Sequence, residues 1–260
     1  MQKQMRNVVR GRIVLWDGGG LWTFDVPPAP EGQPSTRLHA HHAIQITLSA
    51  GGRFAIRTED GRTDGPAVIV GSNVPHAFEP EGKVALLFVE PESRAGQALT
   101  GRFTGAPVTR RETPCLWDAQ DRLASLWTEP RPDNEMVETL GRQIVESIVG
   151  ESLPPSTLDP RIARTLDWLA PRMGEGVGLA EAAAIACLSD SRFSHLFAAE
   201  VGLPFRSYLL WRRLMLAVER ISGGSSLTAA AHDAGFADSA HFSRTFHRMF
   251  GVPAASLQLI

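Results

Sequence analysis

Two groups of side chains in this chain have types and spacings that can do chemistry. The first is imidazole-rich: His39, His41 and Gln45, with His76 further on behind the turn-forming run Gly71-Ser72-Asn73-Val74-Pro75. Side chains alternate faces along an extended strand. A strand through residues 38–48 therefore sets His39, His41, Gln45 and Thr47 on one side and His42, Ile44, Ile46 and Leu48 on the other. Imidazoles gathered on one face serve as metal ligands or as hydrogen-bonding walls of a small-molecule pocket. The second group is polar and basic, in two sets: Ser191, Arg192, Ser194 and His195, then Ala240, His241, Arg244 and Arg248.

The second group belongs to a repeat. Shifted by 49 positions, residues 179–204 superpose on 228–253, setting Ala180 on Ala229, Ala182 on Ala231, Phe193 on Phe242, Ser194 on Ser243, Phe197 on Phe246, Gly202 on Gly251 and Pro204 on Pro253. Each copy has a short Ala-rich helical run, a break, a polar N-cap (Ser189, Asp238) and an amphipathic helix stopped by Gly and Pro. In the first copy Leu188 and Phe193 are placed for a hydrophobic staple. Phe pairs four apart face the core together and leave the polar set on the opposite face, which is the outline of a helix-turn-helix. Between the copies, residues 205–222 hold no Gly or Pro and predict one helix of about 27 Å at 1.5 Å per residue. That length sets two recognition helices near the ~34 Å repeat of B-DNA. Arg244 projects away from its Phe seam, and its planar fork fits guanine O6 and N7. Arg248, one turn on, suits a phosphate.

Residues 160–260 resemble the DNA-binding domain of AraC/XylS-family transcription regulators. The resemblance rests on AGFADSAHFSRTFHRMFGVPA over residues 234–254 and on the opening DPRIARTLDWL from Asp159. It implies that Ser191, Arg192, Ser194, His195, Ala240, His241, Arg244 and Arg248 face an operator. The last stretch, AASLQLI, departs from the family pattern and is expected to form a short or clipped final helix.

Residues 8–112 carry short β-type runs separated by Gly51-Gly52, Glu59-Asp60-Gly61 and Gly65-Pro66, which predicts an antiparallel barrel or sandwich with helices only after Pro114. Here the chain resembles the two cupin motifs. By position that resemblance implies metal ligands His39, His41, Gln45 and His76. Gln45 stands where cupins prefer Glu, which removes a negative charge, and Asn73 stands where the second motif has Gly, a swap that Asn tolerates because it adopts positive φ. The neutral set shifts the balance from a divalent metal toward an organic effector bound by the same four residues.

The expected architecture is α+β and multidomain: a cupin-like antiparallel β-barrel with following helices over 1–150, a linker at 151–159, and an all-α domain with two helix-turn-helix units over 160–260. Val137, Leu140, Ile144, Val145 and Ile148 form an apolar stripe that either packs on the barrel or pairs two subunits in a homodimer. The net charge of −2 divides into +2 for residues 160–260 (10 Arg, no Lys, 8 Asp and Glu) and −4 for the remainder (16 against 20). A +2 domain is a weak electrostatic footprint, so it is the repeat that points to DNA. Cys115 and Cys187 fall in different domains and suit neither a disulfide framework nor a zinc site. No run of 18 apolar residues occurs and the N-terminus lacks an apolar signal core, so a cytoplasmic bacterial protein with no membrane partner is expected.

These features fit a ligand-responsive transcription regulator, not an enzyme. Its partners would be operator DNA, a small-molecule or metal effector, a second copy of the chain and RNA polymerase. The competing reading is a cupin metalloenzyme, a dioxygenase or isomerase with an accessory helical domain. It leaves the paired repeat unexplained, and Gln45 weakens a redox-metal site.

Overall fold

The computed structural model describes residues 9–28, 36–103, 107–111, 114–128, 133–150, 153 and 155–259. The expectations for the N-terminal residues 1–8, for the Cys115 side chain and for linker residues 151, 152 and 154 lie outside the described residues. The N-terminal half runs β1 (Val9–Trp16), β2 (Gly19–Val26), β3 (Ile44–Ser49), β4 (Arg53–Thr58), β5 (Gly61–Asp64), β6 (Ala67–Val70), β7 (Ala77–Val89), α1 (Arg94–Arg102), β8 (Val108–Arg111), α2 (Pro114–Ser125) and α3 (Asn134–Val149). The helical half runs α4 (Pro160–Leu169), α5 (Leu179–Ile185), α6 (Asp190–Val201), α7 (Phe205–Ser222), α8 (Leu227–Asp233), α9 (Ser239–Phe250) and a closing strand β9 (Leu257–Leu259). No helix among the described residues is long and apolar enough to cross a membrane.

The sheet is ordered β8-β6-β3-β7-β2-β1-β9, with the β4–β5 hairpin branching from β7. The 13-residue β7 serves two layers: Ala77–Glu81 pairs with β4, and Val84–Val89 lies between β2 and β3. Gly82 sits at the changeover with φ +72, where a Cβ would come within 3.2 Å of the Gly52 backbone. Period-2 alternation then divides the strand residues cleanly. Trp22, Phe24, Val84, Leu86 and Phe88 point into the barrel, while Leu21, Ile44, Ile46, Leu48, Ala85 and Leu87 point outward under α2 and α3.

Helices begin earlier than Pro114, because Ser93 caps α1 by accepting the Gly96 amide at 3.0 Å. The α3 stripe is resolved in favour of packing. Val137, Leu140, Ile144 and Val145 are buried within the same chain against the outward face of the sheet. The approach is close enough that a Cβ on Gly141 would fall 2.4 Å from the Trp16 ring. This stripe is therefore not free to pair subunits.

Both helix-turn-helix units form, with one correction to the repeat. The 49-residue shift holds for α6 onto α9, but α5 maps onto α8 with a shift of 48. In that register the buried Ala182, Ala183 and Ala186 fall on Ala230, Ala231 and Ala234, and the left-handed Cys187 (φ +56) falls on Gly235 (φ +74). The second turn is one residue longer. The expected staple partners Leu188 and Phe193 both join the first unit's core. The final segment forms a 3-10 turn (Ala254–Ser256) and then β9, which pairs in parallel with β1 through Val9–Leu257, Arg10–Gln258 and Gly11–Leu259. A strand stands where a clipped helix was expected.

The two helix-turn-helix units are cored differently. Ile162, Phe193, Phe197, Phe205 and Tyr208 close the first unit on its own cluster. The second unit's Phe242, Phe246 and Phe250 belong to one continuous core with Trp22, Phe24 and Phe88 of the barrel. It is the second unit that docks on the β-domain.

Candidate functional site

Helices α6 and α9 present the expected reading faces. Ser191, Arg192 and His195 are exposed on α6, as are Ala240, Arg244 and Arg248 on α9. Two of the expected side chains are less available. The Ser194 hydroxyl donates to the Asp190 carbonyl at 2.8 Å, the half-buried Ser194 thus spending its proton inside the helix. His241 is half-buried with its ring edge-on to Phe236 at 5.2 Å, and its amide donates to the Asp238 cap at 2.6 Å. The two caps differ: Asp238 accepts an amide, whereas Ser189 makes no side-chain cap bond.

The histidines converge inside the barrel, although by another route than one continuous strand. The chain bends at His42–Ala43 and β3 begins only at Ile44. Before the bend, His39 and His76 face each other across an isolated antiparallel bridge, His39 N donating to the His76 carbonyl at 2.9 Å and His76 N to the His39 carbonyl at 2.8 Å. Asn73 takes φ +57 in the turn that delivers His76. One ring nitrogen from each of His39, His41 and His76 lies within 4.8 Å of the others, and all three residues are buried.

The ring orientations are fixed by backbone. Nδ1 of His39 lies 2.8 Å from the Arg37 carbonyl, Nδ1 of His41 2.9 Å from that of Ala43, and Nδ1 of His76 2.8 Å from that of Val74. A carbonyl only accepts, so each neutral ring keeps its proton on Nδ1 and leaves Nε2 bare. Gln45 joins the group, its Oε1 being 3.1 Å from His41 Nε2 while its amide nitrogen donates to Thr47 Oγ1 at 2.8 Å. Burial is the main cause holding the three imidazoles neutral. It brings His39 down to about 4, with the charge of His76 adding to the effect. His41 is pushed well down by burial and by its two neighbours, and His76 is lowered by burial against the opposing bond to Val74. His42 leaves this group at the bend and meets Glu92 at 2.8 Å on the outer side.

The roof over the histidines comes from the helical half. The Phe250 ring lies 5.9 Å from His41, Trp211 of α7 lies 6.3 Å from His41 and 6.1 Å from His42, and the Arg37 amide donates to the Gly251 carbonyl at 3.1 Å. Beside them is a cavity of about 90 Å³ lined by Trp22, Phe24, His39, Gln45, Phe88 and Phe250 among others. A second tie is ionic: Arg212 of α7 donates to Glu90 at 2.9 Å with both side chains largely buried. Burial of Glu90, reinforced by Glu92 and opposed by Arg212, pushes its carboxyl up to about 7. Burial alone would lower Arg212, but Glu90, Tyr208 and Glu92 reverse this and leave it raised. The guanidinium therefore keeps its charge and the titrating proton belongs to Glu90.

Sequence reasoning missed Trp211, Phe250, Gly251, Glu90 and Arg212. A signal existed in α7, whose apolar residues Trp211, Leu214, Met215, Leu216 and Val218 surround more than one face. A helix apolar on several sides is packed on several sides.

Two linked trihelical readers with exposed polar faces, one docked on a β-domain, define a DNA-binding protein of the helix-turn-helix class. A family model described as "Helix-turn-helix domain" matches residues 182–258. The chain is 28% identical over 251 residues to the probable transcriptional regulator LumQ of Photobacterium leiognathi, covering 86% of this chain and 92% of LumQ. It is 29% identical over 114 residues to the arabinose operon regulatory protein of Salmonella typhimurium, covering 40% of this chain and 38% of that protein. Among solved structures, ToxT from Vibrio cholerae O395 superposes with a TM-score of 0.58 at 10% identity, over 92% of this chain and 96% of ToxT. ToxT of strain SCE256, described as bound to an unsaturated fatty acid, gives 0.56 at 12% identity over 92% and 94%. Residues 182–258 thus carry a helix-turn-helix domain similar to that of these transcription regulators, and the chain as a whole has the fold of ToxT.

Proposed function

We propose that the barrel interior around His39, His41, Gln45 and His76 is the effector site of this regulator and that its occupancy is relayed to operator binding through the second helix-turn-helix unit. One observation carries this reading: the loop that delivers His39 is bonded to the C-cap of α9, Arg37 N to the Gly251 carbonyl, so the sensing residues and a DNA-reading helix share a structural joint. A fatty acid bound to ToxT supports binding of a small molecule by a protein of this fold. Operator contacts are assigned to Ser191, Arg192 and His195 on α6 and to Ala240, Arg244 and Arg248 on α9, with Ser194 and His241 lying closer to the helix surface. Because His195 and Arg244 occupy matching places in α6 and α9, the two units read different bases and the operator is an asymmetric direct sequence.

The test takes DNA fragments selected by the purified full-length protein and measures binding to them, with and without cell extract as effector source, for wild type, His39→Ala and His76→Ala. Effector-dependent shifts are lost in the variants while basal operator affinity stays near wild type. Variants that respond like wild type place the effector elsewhere.

A further inference from the structure

A cleft of about 510 Å³ lies between the two halves of the chain, on the outer side of the sheet and away from the histidines. Trp16, Val89 and Val145 line it from the N-terminal half, Ala163 and Leu166 from α4, and Arg212 from α7. Its charges do not balance, with five carboxylates against three guanidiniums among the described residues. The guanidiniums are engaged: Arg94 donates to the Leu153 carbonyl at 2.7 Å, Arg142 pairs with Glu138 at 2.9 Å and Arg212 with Glu90 at 2.9 Å. Glu92 has a partner on one oxygen only. Its Oε2 lies 2.8 Å from His42 Nε2, while its Oε1, on a residue 8% exposed, has no hydrogen-bond partner among the described residues. A carboxylate oxygen held out of water without a donor has lost hydration that nothing in the chain replaces. The neighbouring Glu90 feels the same excess: burial above all, then the charges of Glu92 and Asp17, hold its proton on against the pull of Arg212 and His42.

We propose that this cleft is a small-molecule site separate from the barrel, and that it takes an organic ammonium compound whose N–H donates to Glu92 Oε1 and whose apolar body lies against Val145 and Leu166. An anionic wall opposite an apolar one is complementary to such a cation. A bare metal ion fits less well, because Ca²⁺ takes about six to eight oxygen ligands and Mg²⁺ an octahedron, whereas Glu92 Oε1 is the one buried carboxylate oxygen left unpartnered among the described residues. An anion is repelled by the same carboxylates. Because the walls come from both halves, an occupant makes contacts that exist only while α4 and α7 are docked on the β-domain, and it stabilises that arrangement by mass action. This assignment goes beyond the effector reading of the barrel and does not depend on it.

The experiment titrates the purified full-length chain in a calorimeter with phenethylammonium, isobutylammonium and tryptammonium ions, beside 2-phenylethanol, phenylacetate and Mg²⁺. Expected is one equivalent of at least one ammonium compound, with the alcohol, the acid and Mg²⁺ bound at least about tenfold more weakly. Glu92→Gln exchanges a charged acceptor for a neutral one and weakens ammonium binding by about tenfold or more. Since Glu92 also holds His42, circular dichroism accompanies that variant. Ala163→Phe fills the cleft from α4 without touching a charge, and it abolishes binding. Silence of all three ammonium compounds, equal binding of 2-phenylethanol, or binding that survives Ala163→Phe overturns the inference. Ammonium binding lost in His39→Ala but kept in Ala163→Phe would place the compound in the barrel, overturning this inference while leaving the sensor reading standing.

Discussion

The joint between sensor and reader is most sharply tested at Gly251, because the repeat supplies its own control. Gly202 and Gly251 are equivalent C-caps of α6 and α9, and both are left-handed, with φ +79 and +71. Around Gly202 a Cβ would meet nothing within 4 Å. At Gly251 it would fall 2.6 Å from the Arg37 carbonyl oxygen, 2.7 Å from His39 Nδ1 and 3.0 Å from Thr36 Cβ. Alanine at either position carries the left-handed penalty of about 1–2 kcal/mol. Only Gly251→Ala adds overpacking, about 1–3 kcal/mol more, against the backbone that holds His39. For a chain of this size one kcal/mol shifts Tm by about 2–4 °C, so Gly202→Ala should lower it by roughly 2–8 °C and Gly251→Ala by a further 2–12 °C or so. Differential scanning calorimetry on the two variants measures this difference directly. Equal shifts would mean that α9 does not rest on the sensor loop in solution, and the relay proposed from that contact would fall with it.

Further outcomes follow from individual side chains. Glu90, raised to about 7 from an ordinary 4.5, binds its proton more tightly folded than unfolded, so the stability it contributes is present below pH 4.5 and is lost as pH rises through 7. The loss is on the order of 3 kcal/mol, seen as a Tm that falls between about pH 5 and 8 and a slope that Glu90→Gln flattens. Arg244→Ala is expected to relax discrimination by roughly 1–3 kcal/mol at one or two base pairs under α9, measured on operator variants; equal weakening on random DNA with a reduced salt slope would make it a phosphate contact. Leu140→Glu with Ile144→Glu places two charges in the core shared by α3 and the sheet, at several kcal/mol, so circular dichroism should show loss of the fold. A folded protein with only its sedimentation changed would restore the subunit-pairing role of that stripe.

What could be read from the sequence was whatever short-range periodicity encodes. The Phe pairs at i, i+4, the Gly C-caps and the Asp159 and Asp238 N-caps gave the helix-turn-helix units, and the alternation around Gln45 grouped the right side chains even though β3 starts only at Ile44. The register error has a plain cause: the shift of 49 still pairs Ala180 with Ala229 and Ala182 with Ala231, so the alanine-rich run carries little phase, and burial and the left-handed turn at Cys187 and Gly235 fix it. The α3 stripe announced that something covers it without naming what. β9 has three residues, too few for a pattern to rise above chance, and its partner lies some 250 positions away at the other end of the chain.

The same limit explains why the cluster's chemistry was underread. Four candidate ligands could be counted from residue types, and the neutral Gln45 argued against a metal. The directions of the rings come from carbonyls that any residue possesses, those of Arg37, Ala43 and Val74, each two positions from its histidine. Backbone acceptors leave no mark on a sequence, yet here they decide which ring nitrogen is bare. Likewise Trp211 and Phe250 belong to helices whose local task is to build and space two readers, and their contact with His41 exists only because the second unit docks on the barrel. The histidine wall and the second helix-turn-helix unit are thus separately encoded, and the relay proposed between them would run through the core they share, where Phe250 of α9 packs against His41.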